Sequence, residues 1–426
     1  MIQADLIVEG AAELLTLSPS SNRPRRGDEM QDLGIIRQGA LAARRGKIVW
    51  LGPASDLLTS VKPLAFSRVI DAYGKTVLPG FVDPHTHLVF AGSRENEFAM
   101  RIKGKSYMEI AAAGGGINAT VAATRTASKA DLQAQARKAL DRMLALGTTT
   151  AEAKSGYGLE LDAELKMLEV IRALHEEGPV ALVPTFMGAH EVPPEFRQDP
   201  EAYVELVVSR MLPEVSRRKL ARFCDVFCEA GVFSVEQSER ILRAAQALGL
   251  EPRVHADELT DLGGAAMAAR VNARTADHLL FASDEGIRAM ASAGVIAVLL
   301  PGTAYFLHLG RYARARDMIA AGVPVALATD FNPGSCMTES MPLILSIACT
   351  QMRMLPAEAI TAATINAAWA IGEEDCAGSL EVGKQADLLI LDAPNHEHLC
   401  YHFGVNLVQT VVKNGKVVAE RGQRVR

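Results

Sequence analysis

The stretch FCDVFCEAGVFSVEQSERILRAAQALGLEPRVHA, residues 223–256, holds the pattern that decides the fold. Phe223 to Glu229 is a short apolar run that reads as a buried strand. Ser234 to Leu248 reads as an amphipathic helix, and Pro252 to Ala256 as a second strand. A strand, a helix and a strand at this spacing form a right-handed unit with its two strands parallel. The same alternation runs outward in both directions. Strand candidates lie at Phe81 to Leu88, Thr148 to Ala153, Val180 to Phe186, Thr275 to Leu280, Gly294 to Leu300 and Val323 to Thr329, with helix-like segments such as Lys129 to Leu146 between them. Eight such units in roughly 300 residues predict a (β/α)8 barrel, whose chemistry sits where the strands end. A doubly wound open sheet is the alternative, but no G-x-G-x-x-G follows a strand.

Outside this core, both ends of the chain have a different character. Asp5 to Val8, Ala40 to Ala43 and Lys47 to Leu51 are short β-rich runs. Ala386 to Leu391 repeats the pattern, and Val408 to Lys413 with Lys416 to Ala419 forms a hairpin around Asn414-Gly415, a dipeptide that accepts positive φ. Neither end can bury a core alone. Residues 1–75 and 381–426 are therefore expected to close one composite β-sandwich domain, small and antiparallel, around a barrel spanning 76–380.

The 426 residues are 49% hydrophobic and 22% charged, which excludes a disordered or fibrous chain. A formal net charge of −6 gives no support for a nucleic acid or an anionic membrane as partner; a small polar ligand fits better. Six scattered cysteines do not make a disulfide framework, and the N-terminus, with Asp5 and no basic flank before an apolar run, does not read as a signal peptide, so a cytoplasmic setting is expected. Ala289 to Gly310 lacks Lys, Arg, Asp and Glu, but Gly294, Pro301, Gly302 and His308 interrupt it, which suits buried strand plus loop rather than a membrane span.

Polar residues gather at the predicted strand ends. His85-Thr86-His87 closes the first strand, and a period of two places both imidazoles on one face, about 6 to 7 Å apart along the backbone. His255 ends the fifth strand, His278 the sixth and Asp330 the eighth. His85, His87, His255 and Asp330 supply three nitrogens and one oxygen, a set suited to Zn²⁺ that also accepts Fe²⁺. For a chain with only ten histidines, this placement at strand ends is not a chance pattern. Cys224 and Cys228, evenly spaced on a buried strand, read as core packing.

These residues resemble the amidohydrolase superfamily, whose barrel carries His-x-His on strand one, His on strands five and six, and Asp on strand eight. Within it the chain is similar to a ring-opening branch through residues 83–94, 114–117, 152–158, 184–193 and 329–335, and the resemblance covers essentially the whole chain. It implies hydrolysis of 4-imidazolone-5-propanoate, a cyclic amide with a carboxylate tail, to N-formimidoyl-L-glutamate, a step in histidine degradation. It also implies a homodimer. Binuclear members carry a bridging group, often a carboxylated lysine, on strand four. Here that strand has no lysine, so one metal ion is expected, zinc or iron (Zn²⁺, Fe²⁺ or Fe³⁺).

The resemblance assigns roles residue by residue. Glu258, three residues past His255, is expected from its place to contact the substrate ring or to take the proton from water, with Asp330 as the alternative base, and His278 to bond the oxyanion or act as acid. Arg94 and Tyr157 would hold the propanoate tail, His190 the ring, and Asn332, Gly334 and Ser335 the amino-acid part of the product. Lys154 has two readings, a solvated or salt-bridged lysine or a residue that orients the site. The loop at Gly114 to Gly116 is expected near the mouth. A deaminase of a related heterocycle is the alternative activity, and a barrel without catalysis the alternative class.

Overall fold

The computed structural model describes residues 1–18, 22–105, 109 and 114–425. Eight parallel strands pair in chain order: Phe81–Asp83, Thr148–Lys154, Ala181–Ala189, Phe223–Cys228, Glu251–Ala256, Thr275–His278, Ile296–Leu299 and Val325–Leu327. The segments beyond the first and last strands bring the two together. Thr86 and Phe331 form a parallel bridge, the His87 N–H donates to the Phe331 carbonyl at 3.0 Å, and the Asp330 N–H to the His85 carbonyl at 3.1 Å. The His-x-His segment therefore completes the barrel as well as lining it.

The unit at 223–256 shows how sequence makes these elements. Ser234 caps the helix Val235–Ala247, its side chain accepting the Gln237 N–H while Gln237 reaches back to the cap. A cap of this kind contributes about 1 kcal/mol. Ile241, Leu242 and Ala245 are buried on one face, and Gly249, at φ +84°, turns the chain into the next strand. Cys224 and Cys228 are buried in the strand and unpaired, as expected of packing residues. Where the strands begin, the helix Ile365–Ile371 closes the barrel, packing Ala367, Ala368 and Ile371 with Val82, Phe223, Ile296 and Val298.

The first barrel strand is shorter than the apolar run suggests. It leaves the ladder after Asp83, because Pro84 has no N–H to donate. The eighth stops at Leu327, and the third runs on to Ala189, next to His190.

The two chain ends meet in one nine-stranded sheet. Thr76–Pro79 pairs antiparallel with Leu388–Leu391, joining N-terminal to C-terminal strands. The pairing is mixed where antiparallel pairing was expected throughout: Ile2–Leu15 runs parallel to both Val61–Asp71 and Thr76–Pro79. Both faces are covered, Leu41, Ala43 and Ile48 joining one apolar cluster and Ala40 and Ala42 another. Gly80 links sheet to barrel at a close approach, since a Cβ there would lie 2.2 Å from the Thr149 hydroxyl. Among the described residues no helix is long and apolar enough to cross a membrane.

Candidate active site

The predicted ligand residues converge. Asp330 Oδ1 lies 3.4 Å from His85 Nε2 and 3.6 Å from His87 Nε2, and His255 Nε2 is 3.4 Å from His87 Nε2. All four side chains are buried. His278 joins from the next strand, its ring centroid 5.1 Å from that of His255 and 5.5 Å from that of His85. Two overlapping groups have their ligand atoms within 4.8 Å of one another, His85 with His87 and Asp330, and His85 with His255 and His278.

Backbone strain aims two of these groups. His278 (φ 75°) and Asp330 (φ 53°) adopt the left-handed region, which β-branched and most other side chains avoid. Asp257, two residues past His255, does the same at φ 51°. Such conformations cost on the order of 1 kcal/mol or more each and collect at functional sites. At His278 and Asp330 the side chains face the cluster, whereas the Asp257 carboxylate accepts the N–H groups of Gly264 and Ala265 at the start of the next helix.

The donor set suits a divalent cation. His85 Nδ1 donates to Asp277 Oδ2 at 2.6 Å, which fixes the tautomer and leaves Nε2 as a lone pair. That Nε2 is buried and has no hydrogen-bond partner among the described residues. Burial, with neighbouring imidazoles and Lys154 adding to it, holds His85, His87 and His278 well below the usual imidazole range, so they are neutral and able to ligate. Burial also raises the Asp330 carboxyl to about 6, with the Thr303 hydroxyl bonded to its Oδ2 at 2.5 Å opposing the rise.

Glu258 is buried beside this centre, its Oε2 3.6 Å from His278 Nε2. Desolvation, with the charge of Asp330 adding to it, pushes its carboxyl well above the ordinary range. His190 stacks on His87 at 4.8 Å and 18°, and its Nδ1 meets the Gly156 carbonyl at 3.0 Å. Burial takes its imidazole down to about 3. The Tyr157 ring lies 5.7 Å from that of His87 and 5.3 Å from that of His190. Burial keeps its hydroxyl protonated, and it feels the charges of both Arg94 and Asp330.

Arg94 is held at one edge by Glu97, Nε to Oε1 at 2.9 Å and Nη2 to Oε2 at 2.8 Å. Its Nη1 rests over Gly334, where a Cβ would come within 2.1 Å. Glu97 also accepts the Gly116 N–H at 2.9 Å, so the glycine loop is tied to the arginine. Asn332 is committed to its own turn. Its Oδ1 accepts the N–H groups of Gly334 (2.8 Å) and Ser335 (2.7 Å), and its amide donates to the Asp330 carbonyl and to Ser335 Oγ.

Sequence reasoning did not single out the layer beneath. Glu152, Asp225, Arg253 and Asp277 are all fully buried, and Lys154 lies among them, paired rather than solvated. The available signal was alternation: Glu152 with Lys154, and Arg253 with His255, are ionisable pairs at a spacing of two, separated by Ala153 and Val254.

The sequence profile of the Amidohydrolase family matches residues 76–418. A protein named imidazolonepropionase from Geobacillus kaustophilus is 56% identical over 98% of this chain and 99% of its own length. Another of that name, from Symbiobacterium thermophilum, is 55% identical over 99% of both. Among solved structures, 5-methylcytosine deaminase from Klebsiella pneumoniae liganded with phosphonocytosine superposes with a TM-score of 0.73, covering 99% of both chains at 18% identity, a likeness of fold. With three imidazoles and a carboxylate converging at the strand ends of a (β/α)8 barrel, and with relatives of this similarity along its whole length, the chain belongs to the imidazolonepropionase branch of the amidohydrolase family.

Proposed function

We propose that the protein opens the ring of 4-imidazolone-5-propanoate by hydrolysis, giving N-formimidoyl-L-glutamate. The observation that carries this reading is the pairing of a convergent His85, His87, His255 and Asp330 set with the Arg94 guanidinium above Gly334. One divalent ion, zinc or iron, suits the four donors. When bound it supplies Lewis acidity, lowering the pKa of water from about 15.7 toward 7 and polarising a carbonyl.

The protein's own groups do the rest. The water oxygen bonds to the ring carbonyl carbon, the bond from that carbon to the ring nitrogen breaks, and the nitrogen leaves carrying a proton. Glu258 takes the proton from water and returns it to the nitrogen. Burial and the neighbouring charge of Asp330 raise its carboxyl above the ordinary carboxylate range, which strengthens it as a proton acceptor. His278 donates to the oxygen that gains charge. His190 bonds the ring, and its low basicity keeps it neutral beside His87. Arg94 and Tyr157 take the tail carboxylate. Asn332 acts through the turn it holds, presenting Gly334 and Ser335 to the amino-acid end of the product.

Metal-loaded protein incubated with imidazolone propanoate should consume its absorbance while formimidoylglutamate appears. Release of ammonia instead would establish the deaminase alternative.

Arg94→Met should raise KM about 10- to 100-fold with kcat little changed. A charge-assisted hydrogen bond is worth about 1.5–3 kcal/mol, and tail binding is shared by ground and transition states. Gly334→Ala, which drives a methyl group into the guanidinium, should act in the same direction. Equal losses on an analogue without the tail carboxylate would remove Arg94 from that role.

A further inference from the structure

The proposed chemistry leaves a layer of buried charge below the imidazoles unused. Lys154 Nζ lies 2.9 Å from Glu152 Oε1, 2.9 Å from Asp225 Oδ2 and 3.9 Å from Asp277 Oδ2, and none of these side chains reaches solvent. Each carboxylate then holds a different part of the ligand set. Asp277 Oδ2 is 2.6 Å from His85 Nδ1. Asp225 Oδ1 is 3.1 Å from His255 Nδ1, a close approach without hydrogen-bond alignment, and accepts the backbone N–H of His255 at 3.2 Å. Glu152 Oε2 accepts the N–H of Thr86, between His85 and His87, at 3.1 Å, and the Lys154 backbone N–H donates to the Thr86 carbonyl at 3.0 Å.

We infer that Lys154 is a positioning residue for the metal ligands: one ammonium ties three carboxylates, and through them sets the ring orientation of His85 and His255 and the path of the segment that carries His87. This rests on the metal-site reading above. A carboxylate facing Nδ1 keeps the proton there and turns the Nε2 lone pair toward the centre. Three buried carboxylates this close repel one another and would part or take up protons without a shared cation. Arg253 answers only part of that need. Its Nη2 meets Asp277 Oδ2 at 3.1 Å, but its remaining bonds go to the Pro84 and Ala370 carbonyls. Among the described residues, Lys154 alone reaches all three. A compact ammonium with three N–H groups suits three separate acceptors better than the planar fork of an arginine.

Lys154→Met alone leaves three carboxylates facing one guanidinium and can fail to fold for that reason. The informative protein is Glu152→Gln/Lys154→Met, which removes one charge of each sign and so keeps the charge balance of the layer while deleting the shared cation. Three quantities are measured: thermal melting of the metal-free protein, Zn²⁺ affinity by competition with a chromophoric chelator, and the Nδ1-H tautomer fraction of His85 and His255 by nitrogen NMR of the metal-free protein. The expected result is melting close to that of the unchanged chain, Zn²⁺ affinity lower by about 10- to 100-fold, as for other partners of metal-ligating histidines, and mixed tautomers at both rings. Unchanged affinity with unchanged tautomers overturns the proposal. Failure of this variant to fold also overturns it, placing the role of Lys154 in stability. An unchanged chain that binds no Zn²⁺ would instead sink the metal-site reading itself.

Discussion

Asp330→Ala is expected to lower kcat/KM by about four orders of magnitude and to strip the protein of its divalent metal. The carboxylate stands 3.4 Å and 3.6 Å from the Nε2 atoms of His85 and His87 and is the anionic member of the proposed ligand set. Truncation also leaves the Thr303 hydroxyl without its acceptor. Asp330→Asn is the control that keeps the volume and a possible bond to Thr303 while losing the charge. It should fold and melt like the unchanged chain yet remain depleted of metal. Metal analysis beside steady-state kinetics reads both effects, and an Asp330→Ala protein with full metal content and near-normal turnover would refute the assignment.

His278→Ala should behave differently, with kcat down by about 10²–10³, KM nearly unchanged and the metal retained. The imidazole sits beside Glu258, 3.6 Å between Nε2 and Oε2, and burial keeps it neutral. It can therefore donate a hydrogen bond to an oxygen gaining charge without adding a full positive charge to the site. The second convergent group, His85 with His255 and His278, makes metal analysis decisive here as well. If His278→Ala loses its metal while Asp330→Ala keeps it, the ion belongs to that second group and the proposed roles of His278 and Asp330 exchange.

Much of the site was legible because strand periodicity and chemistry point the same way. His85 and His87 are two residues apart and end with ring centroids 5.4 Å apart. His255, His278 and Asp330 sit at or just beyond ends of strands that the alternation of apolar runs and helices locates. What was not legible depends on contacts between strands far apart in sequence. Asp225 and Asp277 read as ordinary polar residues on buried strands until the ladder sets Asp225 opposite Arg253 and Asp277 opposite His255. The left-handed backbone at His278 and Asp330 breaks the alternation from which side-chain direction was read, and no residue type announces it. The turn that Asn332 closes with the N–H groups of Gly334 and Ser335 was not legible either, because Asn bonds its neighbours' N–H groups as readily as a ligand.

The pairing of Thr76–Pro79 with Leu388–Leu391 has a consequence for how the enzyme is made. Val77 lies against Ile390 across about three quarters of the polypeptide, and Gly80, which leads directly into the strand before His85, donates its N–H to the Asp387 carbonyl at 3.0 Å. Contacts between residues so distant carry a large loop-closure cost and form late. During synthesis the anchor of the first catalytic segment must wait for the last strands to leave the ribosome, so a nascent chain can stack most of its barrel before the lead-in to its first histidine is clamped.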